Sequence, residues 1–177
     1  MEGGNFMTRE QFIGSISHWD SHRPLLWEAL QSTRGHVIEF GMGHGSTQQL
    51  HDYCQDRSRQ LFSYENNKEW LDKFTHLRSG GHYIEFVDDW DNALQKHREM
   101  VGVMFADHAP GERRKYDIAM FCNLAQVVVA HDTEPGSDHG YRMSLAAPLF
   151  KYRKDFTDYP AHATAFSNFI DVTKWSL

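Results

Sequence analysis

The sequence is poor in the features that mark secreted and membrane-spanning proteins. It has 177 residues, with only two cysteines and five prolines. Cys54 and Cys122 cannot build a disulfide scaffold, so we expect a reduced, cytoplasmic setting. No apolar run approaches the ~20 residues that span a bilayer. The first ten residues also lack the basic-then-apolar pattern of a secretory signal.

Positive charge is scarce as well. The sequence has 18 Lys and Arg against 24 Asp and Glu, a net charge of −6 with neutral histidine. A general nucleic-acid binder needs a basic surface to displace counterions, so this balance disfavours nucleic acid as a partner. Histidine, in contrast, is abundant, with 12 residues. We expect the histidines outside the predicted site loops to lie on the surface, namely His18, His22, His51, His76, His97 and His162.

The remaining pattern predicts a single α/β domain. Apolar residues make up 40% of the sequence and aromatic residues 14%, which is enough for a packed core. Five short apolar runs are typical of strands, at residues 36–40, 61–65, 82–87, 101–107 and 126–131. Polar segments with helical spacing separate most of these runs. This alternation predicts parallel βαβ units with helices against the sheet.

Segments on either side of this core predict a division of the domain into three parts. Residues 1–35 read as a helical cap, with Thr8 and Gln11 as a capping box for the first of two helices. Residues 36–134 form the core. Residues 135–177 carry two strand-like stretches, predicted to pair antiparallel at the sheet edge. So short a cap and tail suit a pocket for a small molecule, or a pocket completed by a second subunit in a homodimer.

A glycine-rich segment follows the first predicted strand. Gly41, Gly43 and Gly45 have GxGxG spacing and precede a helix start. Glycine lets a ligand approach the backbone, and free N–H groups at a helix start can bind it. Glu65 ends the second strand, where a carboxylate can accept hydrogen bonds from ribose hydroxyls. The alternatives are an ordinary βα turn and a solvated strand end. Another acid, Glu39, precedes the first glycine by two residues.

These motifs resemble those of class I S-adenosylmethionine-dependent methyltransferases, over roughly residues 36–134. The resemblance implies a three-layer Rossmann-like sandwich, with a mostly parallel seven-stranded sheet in the order 3-2-1-4-5-7-6. It implies S-adenosylmethionine as the cofactor. An acid after the third strand would contact the adenine, and Asp89 is preferred over Asp88. The implied cofactor-binding residues are Glu39, Gly41, Met42, Gly43, His44, Gly45, Ser46, Glu65, Asn66, Asp89, Trp90 and Asp107.

Two Asp–His pairs follow the fourth and fifth strands and are the predicted catalytic residues: Asp107-His108 and His131-Asp132. Either histidine could act as a general base toward the acceptor. Asp107 and Asp132, with or without one of the histidines, could instead bind a divalent cation, as in catechol-type O-methyltransferases, although Thr133 stands where those enzymes have Asn. The pairs could also simply cap strand ends. A required metal is the less favoured of these interpretations.

Arg113 and His139 are two further candidates for binding the acceptor. Arg113 and Arg114 open the helix after the fourth strand, where positive charge opposes the helix dipole. Arg113 could bind a carboxylate or phosphate, or pair with a nearby acid such as Asp117. His139 lies in the loop after the fifth strand. The resulting prediction is methyl transfer to oxygen or nitrogen of a small molecule. An NAD(P)-dependent oxidoreductase and a non-catalytic nucleotide-binding module are the alternatives.

Overall fold

The computed structural model describes residues 6–177, which contain a single seven-stranded sheet. Its strands are β1 (Val37–Phe40), β2 (Leu61–Glu65), β3 (His82–Phe86), β4 (Val101–Ala106), β5 (Ala125–His131), β6 (Tyr152–Phe156) and β7 (Ala163–Ser167). The order is β3-β2-β1-β4-β5-β7-β6. Strands β1 to β5 pair in parallel, whereas β7 is antiparallel to β5 and β6. The predicted fold class, strand order and antiparallel tail are confirmed.

Burial along the strands follows from their place in the sheet. Strand β4 is buried at every position, because helices cover both faces of the sheet centre. Its side chains alternate between two hydrophobic cores: Val103 and Phe105 belong to the first, Met104 and Ala106 to the second. The edge strand β3 instead mixes buried and exposed positions. The centre of the sheet therefore carries one hydrophobic core on each face.

Short helices connect the strands. Their bounds are α1 (Arg9–Ile13), α2 (Arg23–Ser32), α3 (Thr47–Asp56), α4 (Lys68–Asp72), α5 (Trp90–Leu94), α6 (Arg114–Met120), α7 (Asp138–Tyr141) and α8 (Met143–Ala146). Single 3-10 turns lie at Thr75–Leu77, Gly111–Arg113, Pro135–Ser137, Ala147–Leu149 and Val172–Lys174. Within residues 6–177, every helix falls short of the length and apolar character needed to cross a membrane.

The N-terminal helices pack on the first core. The predicted capping box is present, since Thr8 accepts the N–H of Gln11 and the Gln11 side chain accepts that of Thr8. Two of the histidines expected on the surface are in fact buried: His22 is 1% exposed and His97 is 8% exposed. His97 lies there because its ring nitrogen meets the Tyr64 hydroxyl at 2.8 Å, which satisfies a polar atom inside the protein.

Candidate active site

The glycine loop after β1 is sterically tight at two of its three glycines. Gly41 has a φ of +88°, and a Cβ there would lie 2.5 Å from the carbonyl oxygen of Asp107. A Cβ on Gly45 would lie 2.8 Å from the carbonyl oxygen of Trp19. The nearest atom to a Cβ on Gly43 is 3.9 Å away. Packing of the chain therefore requires glycine at the outer positions, whereas the middle glycine leaves the backbone open to a ligand.

Glu39 is buried beneath this loop and holds it from below. Its carboxylate accepts hydrogen bonds from the hydroxyls of Ser46 at 2.6 Å, Thr47 at 3.0 Å and Ser63 at 2.6 Å. The Thr47 hydroxyl in turn accepts the N–H of Gly43 at 2.9 Å. Burial raises the pKa of Glu39 to about 7, although the three hydroxyls oppose that rise. Glu39 and Ser46 thus belong to an internal network that shapes the loop.

Glu65 lies at the end of β2, directly beside the glycine loop. Its Oε2 accepts the N–H of Met42 at 3.0 Å, and its Oε1 accepts those of Asn66 at 2.9 Å and Asn67 at 2.8 Å. Burial raises the pKa of Glu65, and these backbone hydrogen bonds partly offset the rise. A carboxylate offers about four acceptor positions. One position on Oε2 therefore remains for a hydroxyl of a ligand.

The residues after β3 contribute one exposed acid and one buried aromatic ring. Asp89 is exposed and caps α5 by accepting the N–H of Asp91 at 2.9 Å. Trp90 is buried, and its indole N–H donates to the carbonyl of Ala109 at 2.9 Å. His44, in the glycine loop, is exposed. Asp89 and His44 are accessible to a ligand, whereas the polar atom of Trp90 is already paired.

Asp107, His131 and Asp132 come together at the ends of β4 and β5, with Arg114 bridging the two acids. The guanidinium lies 3.0 Å from Asp107 Oδ1 and 3.0 Å from Asp132 Oδ2. His131 Nδ1 lies 3.5 Å from Asp107 Oδ1 and 3.3 Å from Asp132 Oδ1. Burial opposes charge on His131, but the hydrogen bond and charge of Asp107 raise its pKa. A proton on His131 is therefore held between two carboxylates.

The segment before α2 adds two residues that the sequence analysis did not place in the site. The hydroxyl of Ser21 lies 3.1 Å from His131 Nε2. The ring of His22 lies 4.9 Å from that of His131, and its Nε2 is 3.1 Å from the carbonyl oxygen of Gly45. Burial lowers the pKa of His22 to about 3, so its ring is neutral. In the sequence, Ser21 and His22 look like residues that cap α2. No local pattern therefore indicates that they lie next to His131.

His108 does not join this cluster, although it follows Asp107 in the chain. It is 1% exposed, and its Nε2 lies 2.7 Å from Asp117 Oδ2. Arg113 contacts Asp117 at 2.9 Å and also Asp91. Successive residues at a strand end point to opposite faces of the sheet, and this face carries the second core. Arg113 thus forms the ion pair that the sequence left as its alternative role.

The loop after β5 flanks the Asp107 cluster. The ring of Tyr141 lies 4.7 Å from the Arg114 guanidinium. His139 is exposed, with its Nδ1 2.7 Å from the carbonyl oxygen of Gly136. The loop therefore supplies a half-buried aromatic ring next to the cluster, together with an exposed imidazole farther along.

No family model matches the sequence, and no curated protein is significantly similar to it. Solved structures do match. An O-methyltransferase from Bacillus cereus in complex with SAH is 11% identical, with a TM-score of 0.60 over 86% of this chain and 82% of its own. The fibrillarin pre-rRNA processing protein of Methanococcus jannaschii is 10% identical, with a TM-score of 0.56 over 78% and 69%. The METTL16 methyltransferase domain is 14% identical, with a TM-score of 0.57 over 86% and 66%.

The chain has the class I methyltransferase fold. This fold also relates it to a Streptococcus mutans protein, at 10% identity and a TM-score of 0.53, of which it spans 48%. At such identities the similarity establishes the arrangement of strands and helices. The reaction has to be argued from the site residues.

Proposed function

We propose that the chain transfers a methyl group from S-adenosylmethionine to an oxygen or nitrogen of an acceptor. The observation that carries this proposal is the contact of the Glu65 carboxylate with the glycine-loop N–H of Met42. The strand order reverses between β1 and β4, and in open α/β sheets ligands bind at that switch point. The methyltransferases among the structural neighbours support the same interpretation.

The residues at the switch point fit an adenosine cofactor. Gly43 leaves backbone accessible, and Glu65 retains an acceptor position for a ribose hydroxyl. The exposed carboxylate of Asp89 can accept a hydrogen bond from the adenine amino group. When bound, S-adenosylmethionine supplies an electrophilic methyl group on a sulfonium centre. The cofactor residues implied by the resemblance thus divide into ligand contacts and residues that, like Glu39, shape the loop.

In this proposal, the cluster at the ends of β4 and β5 orients the acceptor and removes its proton. A hydroxyl or amine of the acceptor passes its proton to the deprotonated ring of His131, which Asp107 and Asp132 hold in position. Arg114 fixes the positions of both carboxylates. Methyl transfer needs an in-line approach, so orientation of the acceptor supplies much of the acceleration. His139 and Arg113 remain proposed acceptor contacts, Arg113 only after release of its ion pairs.

We favour a small-molecule acceptor, because the net charge of −6 disfavours a nucleic acid. Nucleic acid is the second candidate, and the observation in its favour is the similarity to a pre-rRNA processing protein. Methylation assays that compare a panel of small phenols and amines with total RNA separate the two. Transfer of a labelled methyl group to RNA and to none of the small molecules would contradict the small-molecule assignment.

Binding of the cofactor is the first test of this function. We expect S-adenosylmethionine and S-adenosylhomocysteine to raise the melting temperature, and NAD and NADP to leave it unchanged, because a ligand stabilises the state that binds it. Glu65→Gln should weaken S-adenosylhomocysteine binding by about tenfold, as loss of a charged hydrogen bond does. Glu69→Gln, an exposed glutamate in α4, is the matched control. Stabilisation by NAD alone, or unchanged affinity in Glu65→Gln, would refute the assignment.

A further inference from the structure

Three ligating side chains converge where the start of α2 meets the ends of β4 and β5. His22, Asp107 and His131 each offer one ligand atom, and the three atoms lie within 4.8 Å of one another. Both histidines are buried, and Asp107 is half-buried. We propose that these three residues bind a divalent transition-metal ion. The site does not depend on the methyl transfer proposed above.

The hydrogen bond of His22 fixes the state of its ring. A carbonyl oxygen can only accept, so the Nε2 atom that lies 3.1 Å from the Gly45 carbonyl must carry the hydrogen. In a neutral imidazole the other nitrogen, Nδ1, then holds a lone pair. That Nδ1 is buried and has no hydrogen-bond partner within the described residues. Buried polar atoms are nearly always paired. His22 therefore brings an unpaired ring nitrogen to a cluster with an acid and a second histidine, which favours binding of a cation.

The second histidine is oriented in the same manner. His131 Nε2 is engaged by the Ser21 hydroxyl, which turns Nδ1 toward Asp107 and Asp132. Ligating histidines in proteins almost always use their other nitrogen for such a contact. A bound ion replaces the proton on Nδ1, so the proton and the metal compete for this position.

The charges around the cluster leave room for a cation. Asp107 and Asp132 carry two negative charges, which Arg114 and a proton on His131 balance, and the His22 ring is neutral; a bound cation takes the place of the His131 proton. Both Arg114 and His131 contact Oδ1 of Asp107. Its Oδ2 can therefore serve as the third ligand while Arg114 stays on Oδ1, whereas the contact of His131 with Oδ1 is lost when the ion takes Nδ1.

The donor set defines the class of metal. Two imidazole nitrogens and one carboxylate suit Zn²⁺, Co²⁺ or Fe²⁺, whereas Mg²⁺ and Ca²⁺ prefer oxygen ligands. Ligand bonds of about 2.1 Å place the donors roughly 3 to 3.5 Å apart. Small ring rotations would bring the observed atoms to that spacing. This site differs from the set centred on Asp107 and Asp132 that the sequence suggests, because His22 is a ligand and Asp132 is not.

The test is a Co²⁺ titration of the chelator-treated full chain, followed by visible absorption and calorimetry. We expect one Co²⁺ per chain and no displacement by millimolar Mg²⁺. His22→Gln should weaken Co²⁺ binding at least tenfold. His76→Gln, an exposed histidine, is the control and should bind as the unchanged protein does. Equal Co²⁺ affinity in His22→Gln, or displacement by Mg²⁺, would overturn the proposal.

A second measurement covers the case in which His22→Gln fails to fold, which circular dichroism would reveal. X-ray absorption of the Zn²⁺-loaded unsubstituted chain counts the imidazole ligands. Two imidazoles support the site, and none or one overturns it. S-adenosylhomocysteine binding is measured on the same chelator-treated sample. Cofactor binding without metal binding would refute this site alone, and the reverse would refute only the methyltransferase assignment.

Discussion

The two sides of the active-site crevice are built in different ways. On the cofactor side, the hydrogen bonds of Glu39 below the glycine loop are close in sequence, such as Ser46 to Glu39, seven residues apart, although the outer glycines also pack against Trp19 and Asp107. On the acceptor side, Ser21 contacts His131 across 110 residues. The hydrogen bonds of Glu39 and Glu65 thus lie within one β-loop-α unit and its neighbouring strand. The acceptor side is completed by the segment before α2, which contacts the end of β5.

The two sides also differ in how fully their polar atoms are paired. The carboxylate of Glu39 takes three hydroxyl hydrogen bonds. Within the described chain, four buried side-chain polar atoms lack a partner, and two of them are Nδ1 of His22 and Nδ1 of His108. Both histidines border the ends of β4 and β5. Of these two, only His22 faces the Asp107 cluster, so the acceptor side has one buried ring nitrogen that is free to bind a ligand, whereas the carboxylate below the cofactor loop is fully paired.

The largest expected effect is a loss of stability from a substitution in the glycine loop of the cofactor side. Gly41→Ala combines a positive φ with a Cβ 2.5 Å from a backbone oxygen of Asp107. We expect a loss of about 5 kcal/mol in the free energy of unfolding, from backbone strain and overpacking together. Gly43→Ala has open space and should leave stability within about 1 kcal/mol while weakening cofactor binding. Urea denaturation measures both variants, and equal stability of the two would contradict the steric argument.

The next effect concerns the second core below the acceptor side. Asp117→Ala removes a fully buried carboxylate that pairs with both His108 and Arg113. Loss of one partner of a buried ion pair costs about 3 to 4 kcal/mol. Asp91→Ala removes an exposed partner of the same Arg113 and should cost under about 1 kcal/mol. Chemical denaturation measures the free energy of unfolding of both variants. If Asp117→Ala loses no more than Asp91→Ala, the buried ion pair contributes little to stability.

The same contrast explains what the sequence could predict. The cofactor loop follows from local signals, because the loop glycines and the acid that ends β2 occur at fixed spacing, and the strand order follows from the family that these motifs resemble. The Asp107 and His131-Asp132 positions follow from strand ends. Ser21 and His22 carry no local signal, since their partners lie on a strand far along the chain. His108 is the opposite case: its sequence neighbour Asp107 faces the crevice, while its own ring turns toward Asp117.

A pH measurement sharpens the account of the cofactor side. Glu39 has a pKa of about 7 in the folded protein, above its ordinary value of 4.5, because it is buried. Between these pH values the folded state holds a proton that the unfolded state releases. The free energy of unfolding therefore falls as the pH rises from 4.5, and the loss is complete once the pH has passed about 7. Glu39→Gln cannot titrate, and by pH 8 it should be about 2 kcal/mol more stable than the unsubstituted protein. Near pH 5 the two should match.

Thermal melts at pH 5, 6, 7 and 8 measure this difference, with the exposed Glu99→Gln as the control. A constant gap between Glu39→Gln and the unsubstituted protein would mean that Glu39 is ionised across the range. The hydroxyls of Ser46, Thr47 and Ser63 would then outweigh the cost of burying the charge.

The smallest expected effect tests the long-range contact of the acceptor side. Ser21→Ala removes the buried hydroxyl that contacts His131 Nε2 at 3.1 Å. One neutral hydrogen bond contributes about 1 kcal/mol, so a loss of that size is expected in urea denaturation. Ser15→Ala, an exposed serine in the same segment, should change nothing measurable. The His131 ring should also gain mobility in Ser21→Ala, visible as broadened imidazole resonances. If both variants behave alike, docking of the N-terminal segment rests on the apolar packing of α2, and Ser21 does not position His131.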